Sequence, residues 1–122
     1  MTRQNMRARC KSMMVVVPLI LAALFSAQAN AECQAGGCLN VNVTEIYMNT
    51  LAAGFHVQTS GNETLANCTP ISGILLTVPE TFPHFKEIYS LLLSAQLSGK
   101  AVTIMINQGS DPCTISYAKL LN

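Results

Sequence analysis

Apolar and polar residues alternate along three segments of the chain that follow residue 38. From Leu39 the sequence LNVNVTEIYM alternates, with Leu39, Val41 and Val43 on one face and Asn40, Asn42 and Thr44 on the other, which is the pattern of a strand with one buried face. A second alternating segment runs from Gly54 to Ser60. A third runs from Ile71 to Val78 and contains Gly73, a residue type that often marks a bulge. The pattern predicts three strands before residue 80.

A helix is predicted directly after the third strand. It follows Pro79, with Thr81 or Phe82 near its N-cap and Pro83 in its first turn. The helical period is carried by apolar residues three or four positions apart, namely Phe85, Ile88, Tyr89 and Leu92. Gly99 is a natural end for this helix, because glycine readily adopts the left-handed conformation that closes a helix.

Alternation returns after the helix and predicts two further strands. They run from Lys100 to Asn107 and from Cys113 to Leu121, separated by the turn-forming sequence QGSDP. Three strands, one helix and two strands is the element order of the OB-fold, a five-stranded Greek-key barrel. We therefore expect a mainly β fold with one helix, a five-stranded OB-fold-like barrel in the order β-β-β-α-β-β. A split β/α sandwich is the alternative architecture.

The start of the chain has the composition of an export signal. Four basic residues precede an apolar segment from Met13 to Phe25, and small residues offer cleavage sites after Ala29 or Ala31. The apolar segment is shorter than the roughly 18 to 20 residues that cross a bilayer, which favours a cleaved signal over an uncleaved anchor. We expect a signal peptide over residues 1–31 and one OB-like domain over residues 32–122. The protein would be exported, periplasmic or secreted, with no membrane span after cleavage.

Removing this segment reverses the sign of the net charge. The whole chain has a formal net charge of +1, whereas residues 32–122 carry three lysines, six acidic residues and no arginine, a net charge of −3. Proteins that bind nucleic acid neutralise phosphates with lysine and arginine side chains. Nucleic acid is therefore not expected as a partner.

The predicted domain retains an even number of cysteines, at positions Cys33, Cys38, Cys68 and Cys113. In an exported chain this favours disulfide bonds, which also compensate for the modest core of a domain of about 91 residues. The spacing of cysteines and histidines matches no zinc-binding pattern. We expect disulfide bonds and neither a metal nor another cofactor; the count alone does not fix the pairing.

Few side chains of this domain could perform acid–base or nucleophilic chemistry. His56 lies on a predicted strand and His84 at the predicted helix start, and Asp111 is the one aspartate. Glu80 and Glu87 flank or open the helix, where the helix dipole stabilises carboxylates. A hydrolytic site needs a base, a nucleophile and usually a carboxylate within reach of one another, and no spacing here demands such a site. We predict no catalytic residues and a protein that is not an enzyme.

Several core patterns resemble those of a known family. The sequence FKEIYSLLLSAQLSGKAVTIMI, residues 85–106, resembles the helix-to-strand segment of the B subunits of bacterial AB-type toxins, the subtilase, typhoid and pertussis group. The upstream sequences VNVTEIY, GFHV and ANC look like the first three strands of the same subunits. The resemblance spans most of residues 32–122. It implies an OB-fold, binding of cell-surface glycans and a pentamer.

Two departures from this family bear on the ligand and the assembly. Its sialic-acid-binding subunits place a serine just before the first strand, and the matching position here is near Leu39, which has no hydroxyl group. Their long loop between the last two strands is shortened to QGSDP. The ligand-binding residues therefore remain unassigned, and the homo-oligomer is not carried over.

The same resemblance implies a disulfide pairing. In those subunits a cysteine on the second strand pairs with one at the start of the third. The latter matches Cys68, whereas the second-strand position is His56. Cys68 then requires another partner, and Cys113, at the start of the last predicted strand, is the candidate. The remaining two cysteines, Cys33 and Cys38, would close a small loop of their own.

These features favour a small exported binding module that resembles the toxin B subunits and binds a glycan or a partner protein. The alternative is a non-catalytic periplasmic or secreted structural or accessory protein without a small-molecule ligand. Ligands of OB-folds usually cross the face of the middle strands and the adjoining loops. The region expected to bind is therefore Tyr47 to Gln58.

Overall fold

A computed structural model describes residues 30–48 and 53–122. Nearly all of the predicted signal peptide, and residues 49–52 of the predicted binding region, lie outside these ranges. The described part is mainly β with one α-helix, as predicted. Its elements are β1 (Glu32–Gln34), β2 (Gly37–Val41), β3 (Val43–Met48), β4 (Gly54–Thr59), a 3₁₀ turn (Glu63–Leu65), β5 (Leu76–Pro79), α1 (Phe85–Ser98), β6 (Val102–Ile106) and β7 (Ile115–Leu120).

The described strands form two open sheets, which corrects the prediction of a closed five-stranded barrel. One sheet has the order β1-β2-β6-β7 and the other the order β3-β4-β5, with all neighbouring strands antiparallel. Among the described residues, one parallel bridge connects β5 to the residue just before β7. It joins Thr77 to Thr114. The seven strands therefore replace the predicted five, and β5 meets β7 too briefly for the sheets to close around the core.

The shortness of β5 has a local cause. The predicted third strand, Ile71 to Val78, is a strand only from Leu76, because Ile71 and Leu75 pair with each other across a tight turn. Within this turn Ser72 and Gly73 have φ angles of 54° and 76°. Left-handed backbone at two successive residues reverses the chain and cannot continue a strand.

The predicted first strand is also divided. Asn42 separates β2 from β3, and the pairing register shifts on both sides of it, so the two halves belong to different sheets. A short strand missed by the pattern, β1, forms a hairpin with β2. At the hairpin's end Gly37 has a φ of 148°, and a Cβ atom there would lie 2.1 Å from the carbonyl oxygen of Ile104. Only glycine fits at this position.

The helix begins later than predicted and ends where predicted. Its N-cap is His84, in the left-handed conformation with a φ of 61°, so Thr81, Phe82 and Pro83 lie before the helix and not in its cap or first turn. The peptide N–H of Phe82 instead donates to the carbonyl of Pro79 in a turn. At the other end Gly99, with a φ of 66°, closes the helix as expected.

The core is formed by the inner faces of both sheets and one face of α1. Phe55 is at its centre, fully buried, and its ring packs edge-on against the rings of Phe85 and Tyr89 with both centroids 5.3 Å away. Such pairs add to the free energy gained by burying the rings. These contacts attach the first half of the helix to the middle strand of the three-stranded sheet.

Two disulfide bonds join Cys33 to Cys38 and Cys68 to Cys113. The first crosses the β1–β2 hairpin, in which the two residues face each other. The second links the segment before β5 to Cys113, two residues before β7, and the Cys113 N–H also donates to the Thr69 carbonyl at 2.8 Å. Two disulfide bonds are consistent with an oxidising, exported environment.

A buried carboxylate holds the turn after β4. Glu63 is 2% exposed, and its Oε1 atom accepts hydrogen bonds from the backbone N–H and the hydroxyl of Thr59 at 2.6 and 2.8 Å. The same hydroxyl accepts a bond from the Gly61 N–H at 3.1 Å. Hydrogen bonds to a charged group are stronger than those between neutral groups, so this network fixes the path from β4 into the 3₁₀ turn.

Replacing Glu63 by alanine should lower the free energy of unfolding by about 2 kcal/mol, because it leaves the buried Thr59 N–H without an acceptor. Glu63→Gln should cost less, because the amide oxygen can still accept both bonds. Urea unfolding followed by circular dichroism measures the two values. Equal losses for both variants would show that a neutral amide oxygen cannot replace the carboxylate as the acceptor, and no loss in either variant would contradict the stabilising role of Glu63.

Candidate functional site

A groove of about 550 Å³ lies between the first half of α1 and strand β7. Pockets that hold small ligands commonly have volumes of roughly 300 to 1,000 Å³. One wall comes from the segment that leads into the helix and from the helix itself, and the other from the end of β6 and from β7. The lining residues are Phe82, Pro83, His84, Glu87, Ile88, Leu91, Asn107, Ser116, Tyr117 and Ala118.

The helix-side wall depends on the late start of α1. Because the chain turns at Pro79 and adopts a left-handed conformation at His84, Phe82 and Pro83 are held outside the helix and beside the groove. The His84 carbonyl then accepts the N–H of Ile88 at 3.0 Å in the first helical hydrogen bond. This places Ile88 towards the core and Glu87 towards the solvent.

The strand-side wall depends on a β-bulge. Met105 pairs with Tyr117 while Ile106 pairs with Ile115, so Ser116 is an extra residue in β7. A bulge shifts the phase of the side chains that follow it. Ile115 is consequently fully buried, whereas Tyr117 is 54% exposed at the groove. Strict alternation over the predicted strand, Cys113 to Leu121, places Ile115 and Tyr117 on one face, and the extra residue Ser116 separates them.

The lining of the groove is mainly apolar surface with several polar side chains. Apolar contacts are offered by Phe82, Ile88, Leu91 and Ala118, and hydrogen-bonding groups by His84, Glu87, Asn107, Ser116 and Tyr117. The Asn107 amide is fixed by a bond from its Nδ2 to the Thr114 hydroxyl at 3.0 Å. An apolar interior with a few placed polar groups is the usual composition of a ligand site.

The region in which ligand binding was expected, Tyr47 to Gln58, has a different character in its described residues. His56 is 3% exposed, its Nδ1 lies 3.1 Å from the Thr77 hydroxyl, and the Tyr47 ring stacks on its imidazole at a centroid distance of 6.0 Å. These three residues are paired across β3, β4 and β5. His56 is thus enclosed by its neighbours on the sheet.

The structure brings together only two of the candidate residues named from the sequence. His84 and Glu87 both line the groove. His56 is buried in β4, Glu80 is exposed after β5, and Asp111 is exposed in the loop before β7, none of them in the groove. Most of the remaining lining residues carried no signal of a binding site in the sequence. Tyr117 carried a weak one, because it is an aromatic residue in the short final strand.

Among residues 30–48 and 53–122, no three His, Cys, Asp or Glu side chains are grouped so that they could hold a metal ion. Over the same ranges, no helix has the length and apolar character needed to cross a bilayer. Comparison with known proteins gives no family assignment, because no family model and no curated protein matches the chain.

Proposed function

We propose that the protein is a small exported binding module without catalytic activity, and that the groove between α1 and β7 is its binding site. The groove is the observation that carries this proposal. It has the volume of a ligand site, an apolar interior, and an exposed aromatic ring, Tyr117, beside the polar groups of Asn107 and Ser116. The ligand is a glycan or a segment of a partner protein.

The order of the strands supports an OB-like architecture as part of this proposal. β2 and β3 follow one another with one residue between them and pair with β6 and β4 respectively, as one bent strand shared by two sheets would do. β4 pairs with β5, β6 pairs with β7, and the bridge from Thr77 to Thr114 is parallel. OB-folds use such scaffolds to bind oligosaccharides and oligonucleotides. The negative charge of residues 32–122 favours the former.

The side chains of the groove suit a glycan. The exposed face of an aromatic ring packs against the C–H face of a sugar ring, and amide, hydroxyl and carboxylate groups bond to its hydroxyl groups. The resemblance of residues 85–106 to the toxin B subunits points the same way. The proposal that the protein is not catalytic is supported by the two histidines: His56 is enclosed on its strand, and His84 is the one histidine that lines the groove.

Replacing Tyr117 by alanine should weaken binding of a glycan by at least tenfold, because the exposed ring supplies the largest apolar contact on the strand side of the groove. A glycan array probed with the oxidised, fluorescently labelled protein identifies the ligand, and calorimetry then gives the dissociation constants. Leu97→Ser is the matched control, since Leu97 is 80% exposed on α1 and lies outside the groove. Equal affinity of both variants would reject the groove as the site. If the wild-type protein bound neither glycans nor peptides, the result would favour the alternative function, a structural or accessory protein without a small-molecule ligand.

A further inference from the structure

One edge of strand β7 has no partner strand among residues 30–48 and 53–122. Within these ranges β7 is an outer strand of the four-stranded sheet and pairs with β6 alone. The neighbouring strand β5 reaches only Thr114, the residue before β7, and ends at Pro79. Every second residue of an outer strand directs its backbone N–H and C=O groups away from its partner, where they can pair with another chain. Residues Ser116 to Leu120 thus present a short row of such groups.

The groove reaches this edge. After the bulge, Tyr117 and Ala118 are consecutive residues of a regular strand, so their side chains point to opposite faces of the sheet. Both residues nevertheless line the groove, together with Ser116. This lining is the one expected where a groove reaches the free edge of the strand, with the wall formed by Phe82 to Leu91 on its other side.

The lining of the groove carries one carboxylate and no lysine, and Lys86 and Lys119 are chain neighbours of lining residues. Glu87 is the only acidic or basic side chain among the lining residues, His84 excepted, and none of the three lysines of the described ranges lines the groove. Ile88, Leu91 and Ala118 provide an apolar surface next to this carboxylate. A ligand that matches both features carries an apolar group and a positive charge.

We propose that the groove binds an extended peptide segment of a partner protein, which adds as a strand to the free edge of β7 and places a lysine or arginine beside Glu87. The inference rests on the proposed function, because it assigns the ligand class of the same groove. A strand advances about 3.3 Å per residue, so the edge from Ser116 to Leu120 pairs with a segment of about five residues. Backbone bonds supply affinity in this mode, and alternate side chains supply specificity.

The test uses the full chain, expressed with export and recovered in oxidised form, and a set of labelled, acetylated and amidated pentapeptides. The binding set has the pattern Lys-Xaa-Thr-Xaa-Thr, in which Xaa is valine, isoleucine or phenylalanine. One control set replaces lysine by glutamate. A second control carries N-methyl groups on alternate residues, which removes the N–H donors that a strand needs. Fluorescence anisotropy gives affinities, and amide hydrogen exchange reports protection of β7.

The lysine peptides should bind, slow the exchange of the Ala118 amide, and lose at least tenfold in affinity on N-methylation. Glu87→Gln should weaken binding about two- to fivefold, as expected for an exposed ion pair. Glu80→Gln, which changes an exposed carboxylate outside the groove, should leave peptide binding unchanged.

Equal binding of the N-methylated or glutamate peptides would overturn the strand-addition proposal. If saccharides but no peptides bind in the groove, the peptide inference fails and the proposed function stands. If neither binds there, both fail.

Discussion

Replacing Cys68 and Cys113 together by alanine should lower the free energy of unfolding by roughly 4 kcal/mol. The bond joins residues 45 positions apart, so its loss frees a long loop in the unfolded chain. For a domain of this size, 4 kcal/mol corresponds to a fall in Tm of roughly 15 to 30 °C. Cys113 lies two residues before β7, so the variant should also loosen the strand-side wall of the groove. Thermal unfolding followed by circular dichroism measures the effect.

The pair Cys33 and Cys38 provides the matched control. It closes a loop of separation 5, for which the same chain-entropy argument gives about 2 kcal/mol. Both bonds are removed by the same chemical change, so the difference between the two double variants reports the loop length and the position in the fold. A Cys68–Cys113 variant no less stable than the Cys33–Cys38 variant would contradict this account of the fold.

Replacing Phe55 by alanine should cost about 3 to 5 kcal/mol, the range measured for large aromatic residues removed from a core. Phe55 is a residue of β4 whose fully buried ring packs against the helix. Its removal leaves the rings of Phe85 and Tyr89 facing a cavity. Because α1 forms one wall of the groove, we expect weaker ligand binding as well. Urea unfolding gives the change in stability.

The control for this variant is Phe55→Leu, which keeps most of the apolar volume and should cost clearly less. The ring of Tyr89 remains in both variants. The difference in stability between Phe55→Ala and Phe55→Leu therefore reports the volume of the cavity left between β4 and the helix. A loss below 1 kcal/mol for the alanine variant would mean that the helix is attached to the sheet by other contacts.

The regular elements of this fold could be predicted from the sequence because their signals are local. The helical period and the left-handed glycine at Gly99 determine the end of α1, and alternation identifies β4 and β6 to within one or two residues. The presence of disulfide bonds followed from an even number of cysteines behind a predicted export signal. Each of these signals depends on residues close together in the chain.

The candidate site could not be predicted in the same way. It requires the left-handed conformation at His84 and the extra residue Ser116 in β7, and neither is marked by glycine or proline at that position. Pairing between β6 and β7 places the bulge, and that pairing is a tertiary contact. The departure from a closed barrel has a local origin instead, since the turn at Ser72 and Gly73 shortens β5 within a segment whose apolar pattern predicts a longer strand.

The central claim is that ligands bind between α1 and β7. Its most direct test is amide chemical-shift mapping by NMR of the oxidised, ¹⁵N-labelled protein, titrated with a saccharide panel and with the lysine pentapeptides. We predict that the shifts of a binding ligand concentrate on residues 82–91, Asn107 and Ser116–Ala118. Shifts concentrated on Tyr47 to Gln58, or no shifts with either panel at millimolar concentration, would contradict the claim.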